Sequence, residues 1–153
     1  IGLLLYGNFT SLQNYYASFK KEQWREAAAW LSQRTQPGDL LIFNASWVQI
    51  PFDYYFDRYG QAVSQHGAPV DLFDAGILEP KMTEADVPHL QQLAEQANCV
   101  WLVYSHDWYT DPQKIVPATL RGAMLARKVE KFVGLEIQLY ERRGGPTCGT
   151  PRP

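Results

Sequence analysis

Several shortages in this chain exclude whole classes of protein. Two cysteines in 153 residues are too few for a scaffold held together by disulfides. Cys99 opens an apolar run while Cys148 sits among Gly and Pro, so they read as two separate thiols, and the redox compartment stays open. No apolar run approaches the roughly 20 residues a spanning helix needs, so nothing within the chain crosses a membrane. Charge of one sign is lacking too: 14 Lys and Arg stand against 16 Asp and Glu, without a long basic stretch. The electrostatic footprint of nucleic-acid binding is therefore missing, and no nucleic-acid partner is expected. His66, His89 and His106 show no metal-ligand spacing, so no metal is expected. There is no G-x-S-x-G elbow. Phe43-Asn44-Ala45-Ser46 stands where a dinucleotide-binding turn would carry its glycines, so no cofactor is expected.

What remains, 46% hydrophobic and 14% aromatic residues, describes one ordinary folded domain. The chain opens on Ile1-Gly2-Leu3-Leu4-Leu5-Tyr6 rather than Met, and so reads as a processed product or a piece of something longer. Tyr6, Phe9, Tyr15, Tyr16, Phe19, Lys20 and Lys21 are residue types enriched where a helix leaves lipid, although a first β-strand followed by a loop with buried rings is the commoner source of such an opening. Residues 1–20 are read as a membrane-proximal entry, 21–141 as a single α/β domain, and the Pro- and Gly-rich 142–153 as a disordered tail. Asn8-Phe9-Thr10 and Asn44-Ala45-Ser46 match a glycosylation acceptor by coincidence.

Within 21–141 helical and strand periodicities alternate. Trp24, Ala27, Ala28 and Leu31 mark an amphipathic helix over about residues 21–34. Gln36-Pro37-Gly38-Asp39 makes a turn, and Leu40 to Phe43 is a short strand buried on both faces. A second helix, opened at Ser46 or Ile50 with Pro51 in its first turn, runs to Tyr59, and Gly60 stops it. Val70 to Phe73 reads as the next strand, with Asp74-Ala75-Gly76 as its exit. A third helix, capped by Thr83 or Asp86 and accepting Pro88 early, carries Val87, Leu90, Ala94 and Ala97 on one face. Cys99 to Tyr104 is the strongest buried-strand signal and belongs centrally in the sheet. Pro117 restarts a helix that continues through Leu120, Ala123, Met124 and Arg127. Finally Leu135, Ile137 and Leu139 alternate with Glu136, Gln138 and Tyr140, so the last strands are antiparallel or at an edge, with one wet face. The fold class expected is α/β, a three-layer Rossmann-like or flavodoxin-like sandwich: a mostly parallel sheet ending in antiparallel edge strands.

Ligands of open α/β sheets bind beyond the carboxyl ends of the strands. Three polar exits would share that edge: Asn44-Ala45-Ser46-Trp47, Asp74-Ala75-Gly76 and Ser105-His106-Asp107-Trp108-Tyr109. The candidate ligand-binding residues are Asn44, Ser46, Trp47, Asp74, Ser105, His106, Asp107, Trp108 and Tyr109. Carboxylates, hydroxyls and flat rings suit a sugar, although the same residue types also cap and pack helices. Ser105, His106 and Asp107 are not read as a catalytic triad, because consecutive side chains point apart.

The chain resembles the soluble C-terminal domain of polytopic membrane glycosyltransferases of the glycosyltransferase family 39 type, related to dolichyl-phosphate-mannose protein mannosyltransferases. The likeness lies in Trp24-Arg25-Glu26-Ala27-Ala28-Ala29-Trp30-Leu31, Gln36-Pro37-Gly38-Asp39, Pro51-Phe52-Asp53-Tyr54-Tyr55 with Arg58-Tyr59, Val100-Trp101-Leu102-Val103-Tyr104-Ser105-His106, and Phe132-Val133-Gly134-Leu135 to Leu139-Tyr140. It extends from about Tyr6 to Glu141. The resemblance implies a bacterial parent protein that transfers a sugar from a polyprenyl-phosphate carrier on the outer, periplasmic face of a membrane. Its catalytic carboxylate would lie in a membrane part outside this chain, so no catalytic residue carries over and the domain alone is expected to be inactive. The implied partners are the transmembrane part of the same polypeptide and a sugar or glycolipid acceptor. Two other readings compete: a stand-alone α/β hydrolase or transferase using His106 or Asp107, and a carbohydrate-binding or interaction module using Trp47, Tyr54, Trp108 and Tyr109.

Overall fold

The apolar positions of the first helix recur at i, i+3, i+4 and i+7, and burial follows them. In α1 (Trp24–Ser32), Trp24, Ala27, Ala28 and Leu31 are buried. The two alanines form the close-packed middle of this face, in the cluster that takes in Phe52 and Phe56 of α2 (Gln49–Phe56). The computed structural model describes residues 21–72, 74 and 80–151. The membrane-proximal entry read at residues 1–20 lies outside the described residues.

Five strands form one sheet: β1 (Leu40–Asn44), β2 (Ser64–Ala68), β3 (Cys99–Ser105), β4 (Leu125–Phe132) and β5 (Leu135–Glu141). Their order is β2-β1-β3-β5-β4. Pairings β1–β2 and β1–β3 are parallel, whereas β3–β5 and β4–β5 are antiparallel. The protein is thus a mixed α/β fold around a five-stranded, mostly parallel sheet, and β3 holds its expected central place. Side chains alternate between two apolar clusters. Leu41, Phe43, Trp101, Val103, Ile137 and Leu139 pack with α1 and α2. Leu40, Ile42, Val100, Leu102 and Tyr140 pack with α3 (Val87–Gln96) and α5 (Ile115–Ala123). The Phe43 ring meets Phe52 edge-on at 5.2 Å, and Phe52 stacks on Phe56 at 5.0 Å.

The local signals act where the sequence puts them. Asp39 is buried and accepts from Gln36 N (3.0 Å) and from Trp101 Nε1 (2.9 Å), which pins the Gln36–Asp39 turn to the central strand. Gly60 ends the second helical stretch at φ +61°. Thr83 and Asp86 form a capping box ahead of α3, whose Pro88 sits in the first turn, where its missing N–H costs nothing.

Four expectations are corrected. The second strand is residues 64–68, not 70–73. It lies at the edge of the sheet, needs no continuous apolar run, and reads as polar. Val70 to Leu72 instead form a turn in which Asp71 accepts from Gly67 N at 2.7 Å and faces His66 Nδ1 at 3.1 Å. Phe73 lies outside the described residues. Gly67 is obligatory there, because a Cβ would stand 2.1 Å from Val70 O and 2.6 Å from Ser46 Cβ. Secondly, the last helix stops at Ala123: Met124 is extended (φ −131°, ψ 175°), and Arg127 belongs to β4, at a register shift between Ala126 and Lys128. Thirdly, β5 has no wet face. It lies between β3 and β4, so Gln138 and Tyr140 are buried with the α3–α5 side, and the exposed strand is β4.

Fourthly, the cysteines are not separate thiols: Cys99 and Cys148 form a disulfide with Cα atoms 6.0 Å apart. Residues 142–151, read as tail, contain no helix or strand but turn back over the sheet end. Arg142 N donates to Asn98 O at 2.8 Å, and Cys148 N donates to the buried Glu141 carboxylate at 2.8 Å. Those two bonds bring the second cysteine to the start of β3.

Candidate functional site at the carboxyl edge of the sheet

Because β1, β2 and β3 run parallel, their carboxyl ends share one edge. From β1 the chain crosses to β2 on one side, and from β2 to β3 on the other. The chain therefore reverses direction across β1, and the β1–β3 crevice is where such sheets bind ligands. Two of the three expected exits meet there. Asn44, fully buried, donates from Nδ2 to Ser105 O at 3.1 Å and to Thr110 Oγ1 at 3.0 Å. The Trp47 and His106 rings lie 4.5 Å apart. Asn44 Oδ1 and Trp47 Nε1 are both buried with no hydrogen-bond partner among the described residues. A buried polar atom left without any partner costs about 1–3 kcal/mol.

The third exit does not join them. Asp74 lies six residues beyond β2 in an exposed turn, its N–H on Asp71 O, and no hydrogen bond or ion pair among the described residues ties it to this cluster. Ala75 and Gly76 lie outside the described residues. Ser46 is buried where the β1 exit passes Gly67 and serves packing.

Backbone strain gathers at this edge. Ala45 (φ 61°), His106 (φ 52°) and Lys114 (φ 59°) are the non-glycine residues in the left-handed region among the described residues. Such positions cost about 1–3 kcal/mol each and persist where their surroundings hold them. The strain at His106 overturns the expectation that Ser105 and His106 point apart, because the left-handed turn swings the imidazole back to place Nδ1 2.8 Å from Ser105 Oγ. His106 Nε2 in turn faces Glu22 Oε1 at 3.4 Å, and Trp24 Nε1 donates to Glu22 Oε2 at 2.8 Å.

A serine, a histidine and a carboxylate in line look like hydrolytic machinery, but the protons run the wrong way. Ser105 donates its one hydroxyl proton to Gly134 O at 2.7 Å, so that proton is not directed at the imidazole. A general base needs a lone pair directed at the hydroxyl, and Ser105 is 2% exposed. The chain of contacts is a tie between the exit of β3 and the β4–β5 turn.

Next to that tie, and sharing Ser105 and Gly134 with it, lies a cleft of about 260 Å³ lined also by Tyr104, Asp107, Lys114, Lys131, Phe132 and Glu136. Asp107 begins the short helix α4 (Asp107–Thr110) and forms an ion pair with Lys114 Nζ, which also lies 5.1 Å over the Tyr104 ring. Lys131 and Glu136 stand opposite each other in the β4–β5 register. Below the cleft, the Tyr104 hydroxyl donates to the fully buried Asp111 at 2.9 Å. Burial and that carboxylate push the Tyr104 hydroxyl far above the ordinary phenol range. Asp111 also accepts from Ile115 N (2.8 Å) and Val116 N (3.0 Å), fastening the start of α5. The Tyr140 hydroxyl, pushed up to about 12 by burial, donates to Gln138, whose amide donates to Glu136 Oε1 at 2.5 Å. Outside the cleft, Trp108 is 74% exposed and Tyr109 36%, with Lys81 Nζ 4.4 Å over the Tyr109 ring.

The residues the sequence did not offer are Glu22, Lys114, Lys131, Gly134 and Glu136. Of these, only Gly134, between two alternating runs, carried a readable turn signal. Comparison with protein-family models, with curated proteins and with solved structures finds no match for this chain.

Proposed function

We propose that the chain is an accessory extracytoplasmic domain of a membrane glycosyltransferase that takes its sugar from a polyprenyl-phosphate carrier, and that it is inactive by itself. The reading joins the family resemblance to one structural observation, the Cys99–Cys148 disulfide. Structural disulfides persist in oxidising compartments such as the periplasm and are rare in the cytosol. On this reading the partners are the transmembrane part of the same polypeptide and a sugar or glycolipid acceptor. The helices on both faces of the sheet are read as a three-layer, Rossmann-like sandwich. The carboxyl edge, with its exposed Trp108 and two buried polar atoms that have no hydrogen-bond partner among the described residues, is the side that meets the rest of the enzyme and its substrate.

The Ser105 hydroxyl, donated to Gly134 O, argues against a hydrolase with Ser105 as its nucleophile. The test is an assay with a lipid-linked sugar. The 153-residue chain alone should give no turnover, while deleting it from the whole membrane enzyme should lower activity. Turnover by the isolated chain would refute the reading.

A further inference from the structure

We propose that the cleft between α4 and the β4–β5 turn binds one neutral pyranose ring, with Asp107 and Glu136 accepting from its hydroxyls and Lys114 and Lys131 donating to its oxygens. The choice of ligand class rests on the foregoing proposal only for the source of the sugar; the cleft argues for the chemistry itself.

Size comes first. Pockets for drug-sized ligands are about 300–1,000 Å³, so a cleft of about 260 Å³ suits a single ring. Charge comes second. The α4 wall carries the Asp107–Lys114 pair, and the hairpin wall carries Lys131 opposite Glu136. Each wall therefore offers one charge of each sign. A phosphate would be held by two ammonium groups and repelled by two carboxylates, and a cation would meet the reverse. A hydroxyl both donates and accepts, so it is served by both members of each pair. Phe132, half-buried, lines the same cleft and supplies ring surface for the C–H face of a sugar.

Preorganisation comes third. Lys114 is held at φ 59°, its side chain anchored by Asp107 and the Tyr104 ring. Glu136 is fixed by the Gln138 amide, itself engaged by Tyr140. Groups set in place before binding lose little freedom on binding.

The experiment is a ¹H–¹⁵N titration of the 153-residue chain with methyl α-glucopyranoside and methyl α-mannopyranoside, with inorganic phosphate and ethanolamine as charged probes. Amides of residues 131–136 should shift saturably with at least one glycoside, with Kd on the order of 1 mM for a ligand of this size. Glu136→Gln and the exposed Lys131→Gln should each weaken that binding about tenfold, while amides of β1 keep their wild-type positions and so report an intact fold. Tighter saturation of the same amides by phosphate or ethanolamine would overturn the proposal, as would the lack of saturable shifts with either glycoside at about 50 mM. A positive titration in a protein without membrane spans would keep the cleft and remove the transferase. A negative one in a protein with spans would do the opposite.

Discussion

At the scale of single residues, buried carboxylates do most of the positioning. Asp111 ties three donors, Tyr104 Oη, Ile115 N and Val116 N, at the point where β3 hands over to α5. Asp111→Ala strands the two backbone donors in an apolar cluster. It should destabilise the fold by about 2–4 kcal/mol, read as a lower midpoint in urea unfolding. Asp53 makes the opposite contribution. Burial pushes its carboxyl up, the charge of Asp57 adds to this, and hydrogen bonding to Gln49 and Gln65 only partly offsets it. An acid whose pKa is raised on folding favours the folded state least when ionised, so its penalty appears as pH rises through the folded pKa. Asp53→Asn should therefore raise Tm at neutral pH, and the gain should vanish below the ordinary carboxylate range. A gain that persists in acid would mean that packing, not charge, is responsible.

Elements were legible where burial was two-sided and obscure where it was not. β1 and β3 are continuous apolar runs, buried at every position, and could be read directly. β2 could not, because an edge strand of Ser64, Gln65 and His66 carries no apolar signal, and the more apolar Val70 to Leu72 spends its residues on a turn. The alternation in β5 points to an antiparallel or edge strand with one wet face; the strand is antiparallel and interior, and Gln138 and Tyr140 are buried because β4, beyond it, supplies the exposed edge. The site divides the same way. Asn44 and Ser105 follow apolar runs and are legible as strand exits, whereas Lys131 and Glu136 meet the β3 exit only through the hairpin register. The hairpin depends on Gly134, at φ +83° with Glu22 Cγ 2.5 Å from where a Cβ would stand. Gly134→Ala should cost about 1–2 kcal/mol or more and should move the His106 and Ser105 resonances as Glu22 is displaced. An unchanged Tm would contradict this account of the turn.

At the scale of the whole molecule, the disulfide changes the meaning of the C-terminal segment. A bridge over a 49-residue separation removes enough freedom from the unfolded chain to be worth about 4 kcal/mol in the loop-entropy account. Reduction should lower Tm accordingly, and a Tm indifferent to reductant would mean that the bridge does not form. The central claim is that this domain serves a membrane enzyme from the oxidising side. The most direct measurement is the reading frame that precedes Ile1 in the gene. The account predicts several stretches of about 20 apolar residues upstream, each long enough to span a bilayer. A reading frame that starts shortly before Ile1 and encodes no such stretch would contradict it.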